Sequence, residues 1–182
     1  MARLRYLTES DLEPADQELL ARKLNLYRIL AHSPDATRSL RTPALYIRHH
    51  STLDPRLREL AIVQVGFVSK IAYEYAHHIE IGREFGVTDD DLRAIALESA
   101  GTPSGLPALD RAILSAAREL AAQPALSEET FAILRAALSD AHVVDLVMAI
   151  GLYCGVVRIL GALQIELEPE YAALLVKFPL PT

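Results

Sequence analysis

Residues 55–85, PRLRELAIVQVGFVSKIAYEYAHHIEIGREF, place a carboxylate, Glu59, at the start of an apolar helical pattern. They then crowd Tyr73, Glu74, Tyr75, His77 and His78 into six residues of a second pattern. Burying ionisable groups among aliphatic neighbours costs free energy unless each finds a partner, so such a gathering points to a use. Pro55 sits just inside the first helix after three potential N-caps, Ser51, Thr52 and Asp54. Ser69-Lys70 reads as a short break, and Gly86 as the terminator of the second helix.

Outward from this pair, the chain reads as more helices. Pro14 suits a first helical turn, and Leu19, Leu20, Leu24, Tyr27 and Leu30 recur behind it at helical spacing up to His32-Ser33-Pro34. A second helix runs from Asp35 toward His49-His50, with Pro43 as a kink or first-turn residue. Downstream, Thr88-Asp89-Asp90-Asp91 caps a helix that ends near Ser99, and GTPSGLP at 101–107 is the clearest loop. Amphipathic patterns follow over 110–122 and 131–138, and the tail at 168–178 forms a last short helix before Pro179. No strand-like alternation survives, so the expected fold is all-α.

The 182 residues, 51% of them hydrophobic, suffice for one sizeable core, and a single domain over 1–182 with its core at about 20–170 is expected. A net charge of -6 with no long basic run argues against nucleic acid as a partner. A single cysteine, Cys154, excludes an internal disulfide or a one-chain thiolate cluster. Arg3 and Arg5 followed by acidic residues leave no apolar leader, and a cytoplasmic protein is expected. The apolar segment 142–163 approaches bilayer length, but Asp145 and Arg158 interrupt it and Gly151, Gly155 and Gly161 recur along it. It reads as a fully buried helix, central to the core or to a subunit interface, rather than a membrane span. An oligomer is therefore expected.

Glu74 and His78 lie four residues apart and share a helix face. On a surface such a pair contributes a few tenths of a kcal/mol at most. In an apolar pocket, with Glu59 folded back from the preceding helix, it becomes a tunable acid or base. His77 points about 100° away on a helix of 3.6 residues per turn and reads as structural. Tyr73 and Tyr75 read first as core or interface aromatics. Neighbouring histidines such as 49-50 and 77-78 do not face one site on a straight helix, so no metal is expected.

The run RELAIVQVGFVSKIAYEYAHHIEIGREFGVTDDDLRAI, with DRAILSAARELAAQPALSEETFAIL and DLVMAIGLYCGVVRIL downstream, resembles the carboxymuconolactone decarboxylase family of the alkyl hydroperoxidase D-like superfamily. The resemblance covers roughly residues 20–170 and implies an alkyl hydroperoxidase D-like helical bundle that assembles into trimers or hexamers. In the peroxidase branch a glutamate precedes a Cys-x-x-Cys-x-x-x-His motif. Glu59 and His78 match the glutamate and the histidine, while Ile71 and Glu74 stand at the two cysteine positions. Thiol-based peroxidase activity therefore lacks its nucleophiles here.

The decarboxylase branch, which is similar to YEYAHH in this place, implies a cofactor-free lyase or isomerase acting on a small lactone or keto acid. His78 would donate the proton, Glu74 and Glu59 would orient it or relay protons, and Tyr73 or Tyr75 would hydrogen-bond a developing oxyanion, with His77 also beside the substrate. Arg48, Arg56, Arg58 and Arg83 are candidates for holding a substrate carboxylate. The competing expectation is a non-catalytic oligomeric bundle. A buried cavity lined by Glu59, Glu74, Tyr75 and His78 would favour the enzyme, and a solvated Glu74-His78 pair the bundle.

Overall fold

The computed structural model describes residues 1–181. Among them there is no strand. Nine α-helices follow in order: α1 (Asn25–Leu30), α2 (Pro34–His49), α3 (Pro55–Val68), α4 (Ala72–Glu84), α5 (Asp89–Ser99), α6 (Ala108–Ala122), α7 (Glu128–Ala137), α8 (Asp140–Leu163) and α9 (Ala172–Lys177), with 3-10 turns at Glu9–Asp11, Gln17–Leu20 and Pro169–Tyr171.

The start signals act where the sequence puts them. Asp54 accepts the Arg56 amide ahead of Pro55, Thr88 and Asp91 form a capping box, and Ser127 and Ser139 accept amides of α7 and α8. The first expected helix is the exception. Residues 14–30 break into turns, a 3-10 segment and the short α1, and Leu19 and Leu20 pack with Leu7 and Ala31 in a small satellite cluster. Helical spacing was present in this stretch, but each piece is too short to propagate on its own and follows its packing instead. Pro43 lies inside α2, past the first turn.

The most deeply buried helix is α3, where every residue from Leu57 to Phe67 is buried, including Arg58, Glu59 and Gln64. It packs against α4, α6 and α8. By contrast α8, expected to be buried on all sides, leaves a stripe exposed along Val144, Met148, Gly151 and Gly155, where an added Cβ on either glycine would meet open space. It is long and apolar enough to cross a membrane, but its other face, from Val143 to Leu160, lies in the core.

Two details fix the α3–α4 pair. Lys70 turns the chain with φ 55° between the two helices. At Gly66 a Cβ would come within 2.9 Å of the Tyr75 backbone nitrogen, so the antiparallel helices touch backbone to backbone there. That close approach brings Glu59, two turns before Gly66, against His78.

Candidate functional site

Glu59 and His78 meet inside the bundle. His78 Nδ1 donates to Glu59 Oε2 at 2.7 Å, and Arg58 Nε donates to Glu59 Oε1 at 3.0 Å. His78 Nε2 lies 3.0 Å from Glu74 Oε1. That approach is off the hydrogen-bonding line, so the buried Oε1 accepts no hydrogen bond. All four side chains are nearly inaccessible, between 1% and 5% exposed. The i, i+4 pair is therefore not a solvated surface contact.

Burial alone would drive a proton off His78. The charges of Glu74 and Glu59, each in contact with it, outweigh that and hold its pKa at about 9. Burial likewise pushes the Glu59 carboxyl up, but His78 and Arg58 reverse this and leave it below its ordinary range. At neutral pH the imidazole is thus an imidazolium, its Nδ1–H donated to Glu59 and its Nε2–H facing Glu74 without a hydrogen bond.

This cluster forms one wall of a cavity of about 260 Å³, on which His78, Glu74, His77 and Tyr73 all border. Glu59 and Tyr75 do not. Glu59 stands behind His78 and acts on the cavity only through it. Tyr75 turns into the core against Phe67, ring centres 5.5 Å apart, and burial raises its phenol to about 12. The sequence expectation that Tyr75 touches substrate is corrected by this packing: position 75 falls on the α3-facing side of α4, next to the Gly66 crossing. Tyr73 lends the cavity its ring, but its hydroxyl donates to Glu168 Oε1 and accepts from the Leu26 amide, both at 3.2 Å. It too is poorly placed as an oxyanion donor.

His77 has a different partner from the one its neighbour uses. Its Nε2 donates to Glu168 Oε2 at 2.7 Å, and its ring stacks on Tyr73 and contacts Tyr171. Glu168 also accepts the Asn25 amide at 2.6 Å, so one carboxylate joins α1, α4 and the C-terminal segment. Two adjacent histidines thus border one cavity because each is held by a carboxylate from a different part of the chain.

Of the four candidate arginines, only Arg48 borders the cavity. Arg56 is taken by Asp91 and Asp110, and Arg83 by Asp89. Arg58 is locked in the interior, where it also donates to the carbonyls of Ile47 and Arg48 and lies over the Phe85 ring. The sequence reading missed Arg22, Arg41 and Tyr153, all of which border the cavity. Tyr153 packs edge-on to His78, ring centres 4.8 Å apart, and burial raises its pKa while neighbouring Arg48 opposes that rise. The only signal for Tyr153 was its polar hydroxyl in an apolar helix. Cys154, next to it, does not border the cavity; its Sγ faces the Leu120 carbonyl at 3.8 Å, and burial raises its pKa.

With this geometry established, the chain can be compared with known proteins. No curated protein matched it. Among solved structures it resembles the AhpD-core, uncharacterized peroxidase-related protein from Ralstonia eutropha JMP134, at 17% identity and a TM-score of 0.79, over 99% of this chain and 98% of that one. It also resembles a peroxidase-related protein from Silicibacter sp. TM1040, at 21% identity and a TM-score of 0.73, over 93% of each chain. A third is a Cys-to-Ala variant of the debrominase Bmp8 in complex with 2,3,4-tribromopyrrole, at 18% identity and a TM-score of 0.76, over 98% of this chain and 100% of that one. At such identities these likenesses show the shared fold, including the N-terminal segment that builds part of the cavity. The model of the carboxymuconolactone decarboxylase family matches residues 33–119, the span that holds Glu59, Glu74 and His78. Over that span, a little under half of the chain, the sequence is similar to the carboxymuconolactone decarboxylase family.

Proposed function

We propose that the cavity is the active site of a cofactor-free lyase or isomerase that works by proton transfer on a small lactone or keto carboxylic acid. The observation that carries this reading is an imidazole held between two buried carboxylates at the wall of a partly open cavity. In a decarboxylation the bond from carbon to the leaving carboxylate breaks, CO2 departs, and the electron pair moves into the conjugated carbonyl as an enolate. His78 Nε2–H gives its proton to carbon, and the neutral imidazole regains one from solvent. Glu59 keeps Nδ1 protonated and the ring oriented, as carboxylates do for catalytic imidazoles. Glu74, with an oxygen free of hydrogen bonds, orients the ring or relays the proton. Tyr153, rather than Tyr73 or Tyr75, is the phenol positioned to meet a developing oxyanion.

The thiol chemistry of a peroxidase does not fit this site, since Ile71 and Glu74 stand where the motif cysteines would and Cys154 faces elsewhere. A screen of lactone and keto acids for CO2 release or isomerisation tests the proposal, with a thiol-dependent peroxide assay alongside. His78→Gln should lower turnover by a factor of about 100 or more, the usual contribution of a positioned general acid. Unchanged turnover in that variant would reject the assignment. We further propose that the protein is a homo-oligomer, a trimer or hexamer, and that the exposed apolar stripe of α8 supports its assembly.

A further inference from the structure

We infer that His77, held by Glu168, is a second catalytic residue of this cavity, a general base that takes a proton from the carbon beside the carbonyl of a small β,γ-unsaturated lactone or ketone. His78 returns the proton at another carbon, and in that respect the assignment rests on the reading proposed above.

Two neighbouring imidazoles border the cavity, and the chemistry given to His78 leaves the other unused. His77 is 6% exposed and is held on three sides. The rings of Tyr73 and Tyr171 cover its faces, with centres 4.4 and 4.0 Å away, and its Nε2 lies 2.7 Å from Glu168 Oε2. Neither Glu168 nor Tyr171 borders the cavity, so the ring reaches it by an edge that these contacts leave uncovered. Nδ1 has no hydrogen-bond partner among the described residues, and it is not one of the polar atoms sealed in the interior without one. On a side chain this buried, a nitrogen with open space beside it is available to a molecule in the cavity.

Glu168 decides which nitrogen carries the hydrogen. Burial pushes its carboxyl up, but His77 and the Asn25 amide outweigh that and hold it below its ordinary range. An ionised carboxylate only accepts, so Nε2 is the donor and the neutral ring keeps its lone pair on Nδ1. Carboxylates orient general bases in this way. His78 is the opposite case, a ring loaded with its proton by two carboxylates. The two side chains leave the helix about 100° apart and approach the cavity from different directions.

Loss of CO2 needs no base, because the departing group leaves its electron pair behind. A base beside an acid supplies both halves of a proton shift. His77 Nδ1 takes the proton, and the C–H electron pair moves into the carbonyl and the neighbouring double bond as a dienolate. His78 Nε2–H then protonates the far carbon, which leaves the double bond conjugated with the carbonyl. His77 ends charged and His78 neutral, exchange with solvent restores both, and nothing is oxidised or reduced. A volume of about 260 Å³ suits one small ring.

The test is proton NMR of the full chain in heavy water with α-angelica lactone, a five-membered β,γ-unsaturated lactone without a carboxylate. CO2 release from α-carboxy-γ-butyrolactone is followed alongside. Wild type should introduce deuterium at the carbon beside the carbonyl and form the conjugated isomer, both above the buffer rate. His77→Gln should lower both by a factor of about 100. His78→Gln should slow isomerisation more than exchange, since the base can return the proton to the carbon it left. Nitrogen-15 correlations at mildly alkaline pH should show His77 protonated at Nε2 and bare at Nδ1, with Glu168→Gln mixing the two tautomers. That measurement on wild type holds whether or not His77→Gln folds. A protonated Nδ1, no exchange above buffer, or exchange unaltered by His77→Gln would overturn the inference. CO2 release that needs His78, without any exchange, would sink the base alone. Exchange that needs His77, with isomerisation and CO2 release both indifferent to His78→Gln, would sink the His78 reading alone.

Discussion

His78 shows how one side chain ties stability to chemistry. Its folded pKa of about 9 lies above the ordinary 6.5. The folded state therefore binds this proton more tightly than the unfolded chain does. The resulting stability is fully present below pH 6.5 and is lost as pH rises through 9, with a ceiling of roughly 3 kcal/mol for a shift of this size. Denaturant midpoints measured from pH 6 to 10 should fall across that window, and His78→Gln should flatten the fall. Glu59→Gln removes one of the two carboxylates that hold the proton. The alkaline limb of any pH–rate profile should then move toward neutrality by about a unit, and the buried Arg58 left behind should cost roughly 3 kcal/mol of stability. A profile that stays in place would mean that Glu59 does not govern His78. The Glu74–His78 relation and the part played by Glu59 were legible in the sequence, because a spacing of four on a helix and a return along an antiparallel partner are short-range geometry. Tyr153 was not, since it arrives from a helix 75 residues downstream of His78 and no local pattern encodes that meeting.

Among the elements, the α3–α4 pair determines where the acid–base groups stand. Gly66 is the position that allows it, and a methyl there must displace the Tyr75 backbone, which sits at 2.9 and 3.0 Å and has little room to yield. Alanine would gain about 1 kcal/mol of helix propensity over glycine, against an overpacking cost of about 1–3 kcal/mol in a buried helix contact. We expect Gly66→Ala to lower stability by a net of up to about 2 kcal/mol, read from chemical denaturation, and to weaken the Glu59–His78 coupling. An increase in stability would show that the helices separate freely. The caps and the hairpin were readable because they depend on neighbours in sequence. The centrality of α3 was harder to read: Arg58, Glu59 and Gln64 fall within its apolar run, and the longer apolar segment of α8 read as the central helix. The segment 14–30 misled in the opposite direction, showing helical spacing in a stretch whose conformation is set by tertiary contacts with the cavity wall and the satellite cluster.

At the scale of the whole molecule, the N-terminal segment meets the end of α8. The Arg3 amide donates to the Leu163 carbonyl, and Tyr6 and Glu166 exchange hydrogen bonds, which closes the N-terminal segment over the end of α8. What this arrangement leaves open is the outer face of the same helix. Val144 is 56% and Met148 46% exposed, on a stripe that continues through Gly151 and Gly155. Within one chain the glycines there cost helix stability and return no packing, because nothing lies near the space a side chain would fill. A second helix crossing closely at that stripe would make use of both the glycines and the exposed apolar surface. Gly155→Arg therefore separates the two cases. In a monomer the substitution projects into water and should leave melting temperature unchanged or slightly raised, as glycine is replaced by a better helix former. In an oligomer built on this face, light scattering should show the mass falling to that of a single 182-residue chain, with helical content by circular dichroism retained. A wild-type mass already equal to one chain would remove assembly from the account and leave the cavity complete within a single subunit.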